Sequence, residues 1–278
     1  MEENNKYITR FQVSKMWGRI NLQWNNINED VNILVGINGS GKTTLLNLMY
    51  DHYKDQKIQK GVAESVDGTV ISSPVDYIRS FDIPAKAKKT TESMLLQKLK
   101  DIINQNEKGT SFFDYRMKML NFPEEAEFIQ NRINKFFQHV NSVFEETGKE
   151  IAIDTQNNTM VFSIKGADKL LSYGGKLLTF NGKLISAGTE KIQIDQLSSG
   201  EKQILLILTT VFLQDEKPNV LLMDEPEISL HISWQDRLIE LIREINPNCQ
   251  LILTTHSPNI FANGWEDKIV FIPDLVVK

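Results

Sequence analysis

Residues Gly36–Thr43, which read GINGSGKT, have the types and spacing to hold phosphates. Glycines at 36, 39 and 41 let the backbone take positive φ and approach an anion closely, so that successive N–H groups point at it. The spacing is that of G-x-x-x-x-G-K-[ST]. Asn38, Gly39, Ser40, Gly41, Lys42, Thr43 and Thr44 are the expected phosphate-binding residues, with Lys42 reaching the β- and γ-phosphates of a nucleotide and Thr43 ligating magnesium.

A second group lies far along the chain. In VLLMDEPEISLH an apolar run ends in Asp224 and Glu225, which places two carboxylates at the carboxyl end of a strand, where open α/β sheets bind ligands. Asp224 is expected to hold magnesium, and Glu225 to polarise the attacking water as a general base. The same letters fit a solvated strand end closed by Pro226. Another apolar run, QLILTTHSP, delivers His256, whose neutral imidazole suits a γ-phosphate contact or a structural role. Between the loop and these groups, LSSGEKQ opens a helix with Ser198, Ser199, Gly200 and Glu201. This turn is either an anion cup or an ordinary helix cap with Glu201 in the first turn.

These residues need elements to position them. VNILV before the loop reads as a buried strand and TTLLNLMYDHY after it as a helix. YITRFQV and INLQW alternate like strands. ESMLLQKLKDII and AEFIQNRINKFFQHVNSVFEE carry apolar residues at helical spacing, and IAIDTQNNTMVFSI and KLISAGTEKIQI read as hairpin strands. The expected organisation is an N-terminal lobe over 1–84, a helical insert over 85–150 and a C-terminal lobe over 151–278. The insert is nearly balanced in charge, as a solvated subdomain surface would be. Phe136, Phe137 and Phe144 fall at helical spacing, on a face that either packs onto the rest of the fold or meets a partner.

Composition limits the function classes. The 278 residues are 41% hydrophobic and 24% charged, as in a globular protein. The net charge of −5 gives no overall basic field for nucleic acid, although a local patch such as Lys86, Lys88 and Lys89 stays open. No apolar run is long enough to span a membrane and no signal peptide is evident, so a cytoplasmic location is expected. A single cysteine, Cys249, excludes an intrachain disulfide and a cysteine metal cluster.

Taken in order, GINGSGKT, LSSGE, LLMDEPE and TTHSP around a helical insert resemble the ATP-binding-cassette (ABC) ATPases. More narrowly, DEPEISLH and TTHSPNI are similar to the AAA-labelled branch related to RecF, SMC and OLD proteins, which includes ATPases of phage-defence systems. The resemblance implies a P-loop ABC ATPase head of α/β class, a mixed sheet with central parallel strands flanked by helices. It also implies ATP and Mg2+ as ligands, and two copies packed head to tail so that Ser198, Ser199, Gly200 and Glu201 of one cap the nucleotide held by the other. Hydrolysis of the bridging ATP would then loosen the homodimer or higher homo-oligomer. Ile228–His231 stands where transporter members carry Ala-Leu-Asp, which argues against a transporter subunit. VDYIRSFDIP lacks a Q-loop glutamine, Gln97 lies deep in a helical stretch, and Phe11 and Trp17 are the aromatics available to stack on adenine.

The resulting expectation is a slow, regulatory ATPase that controls a separate effector, a nuclease or toxin, in phage defence. The competing reading is a DNA repair or maintenance ATPase of RecF or SMC type, which calls for a basic groove or long coiled-coil arms.

Overall fold

In a computed structural model the described residues are 5–80, 92–104, 110–154, 159–164, 172–173, 176–177, 179–180, 183–184 and 190–277. Lys86, Lys88 and Lys89 lie outside them. The chain forms two compact units, residues 1–88 with 214–278, and residues 89–213.

The first unit begins with β1 (Arg10–Met16), β2 (Ile20–Asn25), β3 (Val31–Val35), α1 (Lys42–Tyr53), β4 (Ser65–Gly68) and β5 (Val75–Ile78). The second contains α2 (Met94–Ile103), α3 (Phe112–Asn121), α4 (Ala126–Phe144), β6 (Lys149–Asp154) and β7 (Thr159–Ile164). Two short hairpins follow there, β8 (Ser172–Tyr173) with β9 (Lys176–Leu177) and β10 (Thr179–Phe180) with β11 (Lys183–Leu184). Next come β12 (Glu190–Ile192) and α5 (Ser199–Leu213). The chain returns to the first unit with β13 (Asn219–Asp224), α6 (Ile232–Ile245), β14 (Cys249–Thr254), β15 (Ile269–Phe271) and β16 (Val276–Val277).

The first unit holds two sheets. One is parallel, in the order β15-β3-β14-β13-β5, and the other antiparallel, in the order β16-β2-β1-β4. Every residue of β13 and β14 is buried. Such continuous apolar runs are what a parallel sheet covered on both faces requires. One core joins Leu34, Val220, Leu222 and Ile252 of the parallel sheet, Leu45, Leu46 and Met49 of α1, and Phe11, Val13 and Trp24 of the antiparallel sheet. Cys249 is fully buried, and that burial pushes its thiol pKa up to about 12.

In the second unit, α4 buries Ile129, Ile133, Phe136, Phe137, Val140, Val143 and Phe144, the face its helical spacing foretells. Phe136 stacks on Phe212 of α5 at 4.6 Å between centroids, and Phe112 stacks on Phe137 at 5.7 Å. The phenylalanine face of α4 is therefore packed inside this unit and does not present the open partner surface that its sequence left as one alternative. Arg132, on the same helix, lies over the rings of Tyr115 and Phe212 and donates to the Tyr115 hydroxyl.

Candidate functional site

Strand order brings the chemistry together. β14 lies between β3 and β13, with Thr254 opposite both Leu34 and Asp224. The loop after β3, the carboxylates ending β13 and the histidine after β14 consequently share the carboxyl edge of one parallel sheet. That edge is complete within the first unit.

The loop is shaped for close approach to a ligand. Gly41, the N-cap of α1, has φ 103°, and a Cβ there would come within 2.8 Å of Met16 and 3.1 Å of Trp17. Only glycine meets both constraints. At Gly36 a Cβ would lie 2.7 Å from Ser40 Oγ. Asn38 and Gly39 are exposed, while Ser40 Oγ is buried without a hydrogen-bond partner. A buried hydroxyl with no acceptor in the chain, beside the amide-rich start of a helix, fits a phosphate oxygen.

Lys42 is buried and its ammonium turns back onto the loop, donating to Gly36 O at 2.9 Å and Ile37 O at 3.3 Å. It also meets His256 Nε2 at 2.8 Å. An ammonium only donates, so in that contact the imidazole nitrogen is the acceptor. Burial lowers the Lys42 pKa, against the pull of Glu225, Asp224 and Glu227. Thr43 Oγ1 donates to Asp224 Oδ1 at 3.0 Å, and Thr254 Oγ1 donates to the same oxygen at 2.7 Å. A hydroxyl and a carboxylate side by side are hard oxygen donors, the set magnesium takes. Among the described residues no cluster of three His, Cys, Asp or Glu side chains forms a metal site.

Glu225 sits in the left-handed region at φ 48°, its N–H donating to Thr254 O at 3.2 Å and Thr254 Oγ1 at 3.1 Å. A non-glycine residue held there is strained, and such strain concentrates at functional sites. Its Oε1 is 3.4 Å from His256 Nε2. Burial, then the neighbouring Asp224 charge, raises the Glu225 pKa from its ordinary value. A cavity of about 450 Å³ opens beside Thr44, with Asn47, Asp51, Gln59, Val62 and Arg79 in its walls.

Of the two aromatics available for adenine, Phe11 is in the core at 1% exposure, whereas Trp17 is 38% exposed and adjoins Gly41. Trp17 N–H donates to Val62 O at 2.8 Å, which ties its turn to the cavity wall. Gln97 is exposed on α2 in the second unit, and β5 is followed by Arg79, whose guanidinium lies 5.2 Å over the Tyr77 ring.

The LSSGE segment, in the second unit, starts α5 with a reciprocal cap. Ser198 Oγ accepts from Glu201 N–H at 3.2 Å, and Glu201 Oε2 accepts from Ser198 N–H at 2.7 Å. Ser198 and Ser199 are exposed and Gly200 is buried. Glu201, 1% exposed, takes Lys149 Nζ on both carboxylate oxygens, at 2.9 and 2.7 Å. Burial alone would raise its pKa, but Lys149 and the Ser198 N–H outweigh burial and hold it below the usual range.

Thr254 and Glu227 are site residues that sequence reasoning missed. Thr254 serves Asp224 only through sheet register, and Glu227 hydrogen-bonds His256 across 29 residues of chain.

A phosphate loop, a hydroxyl–carboxylate pair and a strained glutamate beside a histidine, on a parallel sheet in this order, define a P-loop ATPase of ABC type. The family described as "AAA domain, putative AbiEii toxin, Type IV TA system" matches residues 93–262, and the chain belongs to it. The match includes the α5 cap, the β13 carboxylates and His256, and begins after the phosphate loop. The chain is 26% identical over 287 residues to the Septu protein PtuA of Bacillus thuringiensis, covering 87% of this chain and 70% of that one. It is 31% identical over 102 residues to the retron Vc95 probable ATPase of Vibrio cholerae, covering 33% of this chain but only 20% of that one. Among solved structures, the SmcHead bound to the C-winged helix domain of ScpA aligns with a TM-score of 0.55 at 11% identity over 92% of both chains, a likeness of fold.

Proposed function

We propose that this chain is a magnesium-dependent ATPase that pairs with a second copy around ATP and so regulates a separate effector protein, a nuclease or toxin, in antiviral defence. The observation that carries the catalytic part is the contact set at one sheet edge, Thr43 with Asp224, and His256 with both Glu225 and Lys42. The defence setting is supported by the likeness to a Septu protein and a retron ATPase.

In this reading the loop amides from Asn38 to Thr44 and the Ser40 hydroxyl receive the phosphates. Lys42 leaves the Gly36 and Ile37 carbonyls and His256 to bind them. Thr43 and Asp224 hold magnesium, which when bound neutralises phosphate charge. Thr254 keeps Asp224 oriented, and Glu225 accepts the proton of the attacking water. His256 faces the terminal phosphate. The cavity beside Thr44 takes the nucleoside, with Trp17 stacking on the base. Ser198, Ser199, Gly200 and Glu201 serve the nucleotide of the other copy: Ser198 and Ser199 offer exposed donors, while Glu201, joined to Lys149, fixes their turn. The active pair is a cytoplasmic homodimer or a higher homo-oligomer.

Replacing Lys42 by Ala tests the reading first. Titration with a fluorescent ATP analogue and magnesium is expected to show binding lost, because the ammonium is a principal charge partner of the phosphates. Undiminished affinity in that variant would remove the assignment.

A further inference from the structure

The segment after β13 carries a third carboxylate, Glu227, for which the reading above has no task. Its Oε1 accepts the backbone N–H of His256 at 2.7 Å. Its Oε2 is buried and has no hydrogen-bond partner in the chain. A glutamate kept only for solubility would turn both oxygens to water, since burying one unpaired is costly.

Around this contact the segments 225–231 and 255–257 are bonded to each other and to α6. Ile228 N–H donates to Glu225 O at 3.2 Å and Leu230 N–H to Glu227 O at 2.9 Å, closing the turn on itself. Gln235, in the first turn of α6, donates to Leu230 O at 3.0 Å and accepts from the Ser257 hydroxyl at 2.6 Å. Ser257 N–H in turn donates to Thr255 Oγ1 at 2.9 Å. The backbone at 256 is thus gripped from one side by Glu227 and its neighbour at 257 by Gln235. The imidazole that this backbone carries is the group 2.8 Å from Lys42 and 3.4 Å from Glu225. Glu225 at φ 48° and Ser229 at φ 69° flank Glu227, so the turn is strained on both sides and needs anchoring.

We propose that Glu227 is the positioning residue for His256: its carboxylate fixes the backbone at 256 so that the imidazole stands between Lys42 and Glu225, and it couples the turn after β13 to the hydrolysis site. The inference rests on the reading of His256 as part of that site. A change in the 225–231 turn would reach His256 through one hydrogen bond.

ATP turnover and fluorescent ATP-analogue binding by the full chain, with melting temperature as a fold control, test it in wild type, Glu227→Ala, Glu227→Gln, His256→Ala and the Glu227→Ala/His256→Ala double variant. Glu227→Ala is expected to lower kcat by about tenfold or more with nucleotide affinity unchanged, because a displaced catalytic group loses orientation rather than binding. Glu227→Gln keeps an acceptor oxygen and is expected to recover most of that loss. In the His256→Ala background, Glu227→Ala is expected to add nothing. Equal losses in both backgrounds, or Glu227→Gln no better than Glu227→Ala, would overturn the proposal while leaving the His256 reading intact. Wild-type turnover by His256→Ala would instead remove the His256 reading, and the proposal with it. Should Glu227→Ala fail to fold, Glu227→Asp withdraws the carboxylate by one methylene and is expected to show the same kcat loss; wild-type kcat in it overturns the proposal.

Discussion

Asp224 shows how the site is built in shells. Oδ1 accepts from Thr43 in the phosphate loop and from Thr254 in β14, and Thr254 Oγ1 also accepts the N–H of Glu225. One hydroxyl therefore holds the Asp224 carboxylate and the backbone of Glu225. Thr254→Val preserves shape and removes the hydroxyl, and kcat is expected to fall about tenfold to a hundredfold, as for outer-shell partners of metal ligands. A steady-state assay alongside thermal melting would check this. Unchanged kcat would assign Thr254 to packing alone. At this scale the sequence made Lys42, Thr43, Asp224, Glu225 and His256 legible, because each sits at a fixed offset from a strand or a glycine. Thr254 and Glu227 were illegible because their partners are set by strand order and by a contact between two loops, neither of which leaves a local period.

The helix α5 illustrates the element scale. Its opening turn reads in sequence as an anion cup or a cap, and it is capped reciprocally by Ser198 and Glu201. What the sequence could not show is that Glu201 is buried on Lys149, fifty-two residues away. Lys149→Ala leaves that carboxylate without its cation and is expected to cost roughly 2–3 kcal/mol, discounted from a fully buried pair because Lys149 is partly exposed. Chemical denaturation at neutral pH would measure it. The pH dependence has a definite sign. A carboxylate whose folded pKa is depressed stabilises above its unfolded pKa and loses that contribution as pH falls through the folded value. The difference in stability between wild type and Lys149→Ala should accordingly shrink on acidification below the ordinary glutamate range; a gap that widens there would contradict the ion-pair account. The spacing of α4 foretold which face is buried, but not that Phe112 and Phe212 would fill it.

At the scale of the whole molecule, two compact units are interleaved in sequence, and the candidate hydrolysis site lies wholly in the first. A net charge of −5 offers no general field for a polyphosphate rod. Duplex DNA titrated with the purified chain across a salt series is expected to show no tight, salt-sensitive binding with or without ATP. A steep fall of affinity with salt would favour a DNA maintenance role over effector control. Among the described residues no helix is long and apolar enough to cross a membrane.

The central claim is that Glu225 performs hydrolysis at a site whose nucleotide joins two copies. Glu225→Gln retains shape and hydrogen-bonding capacity but removes the base. Light scattering coupled to size exclusion, with bound nucleotide identified in the eluted peak, tests it most directly. In ATP and magnesium the variant is expected to elute as a stable larger species carrying intact ATP. Elution at the size of the nucleotide-free chain, or ADP formed at the wild-type rate, would contradict the account.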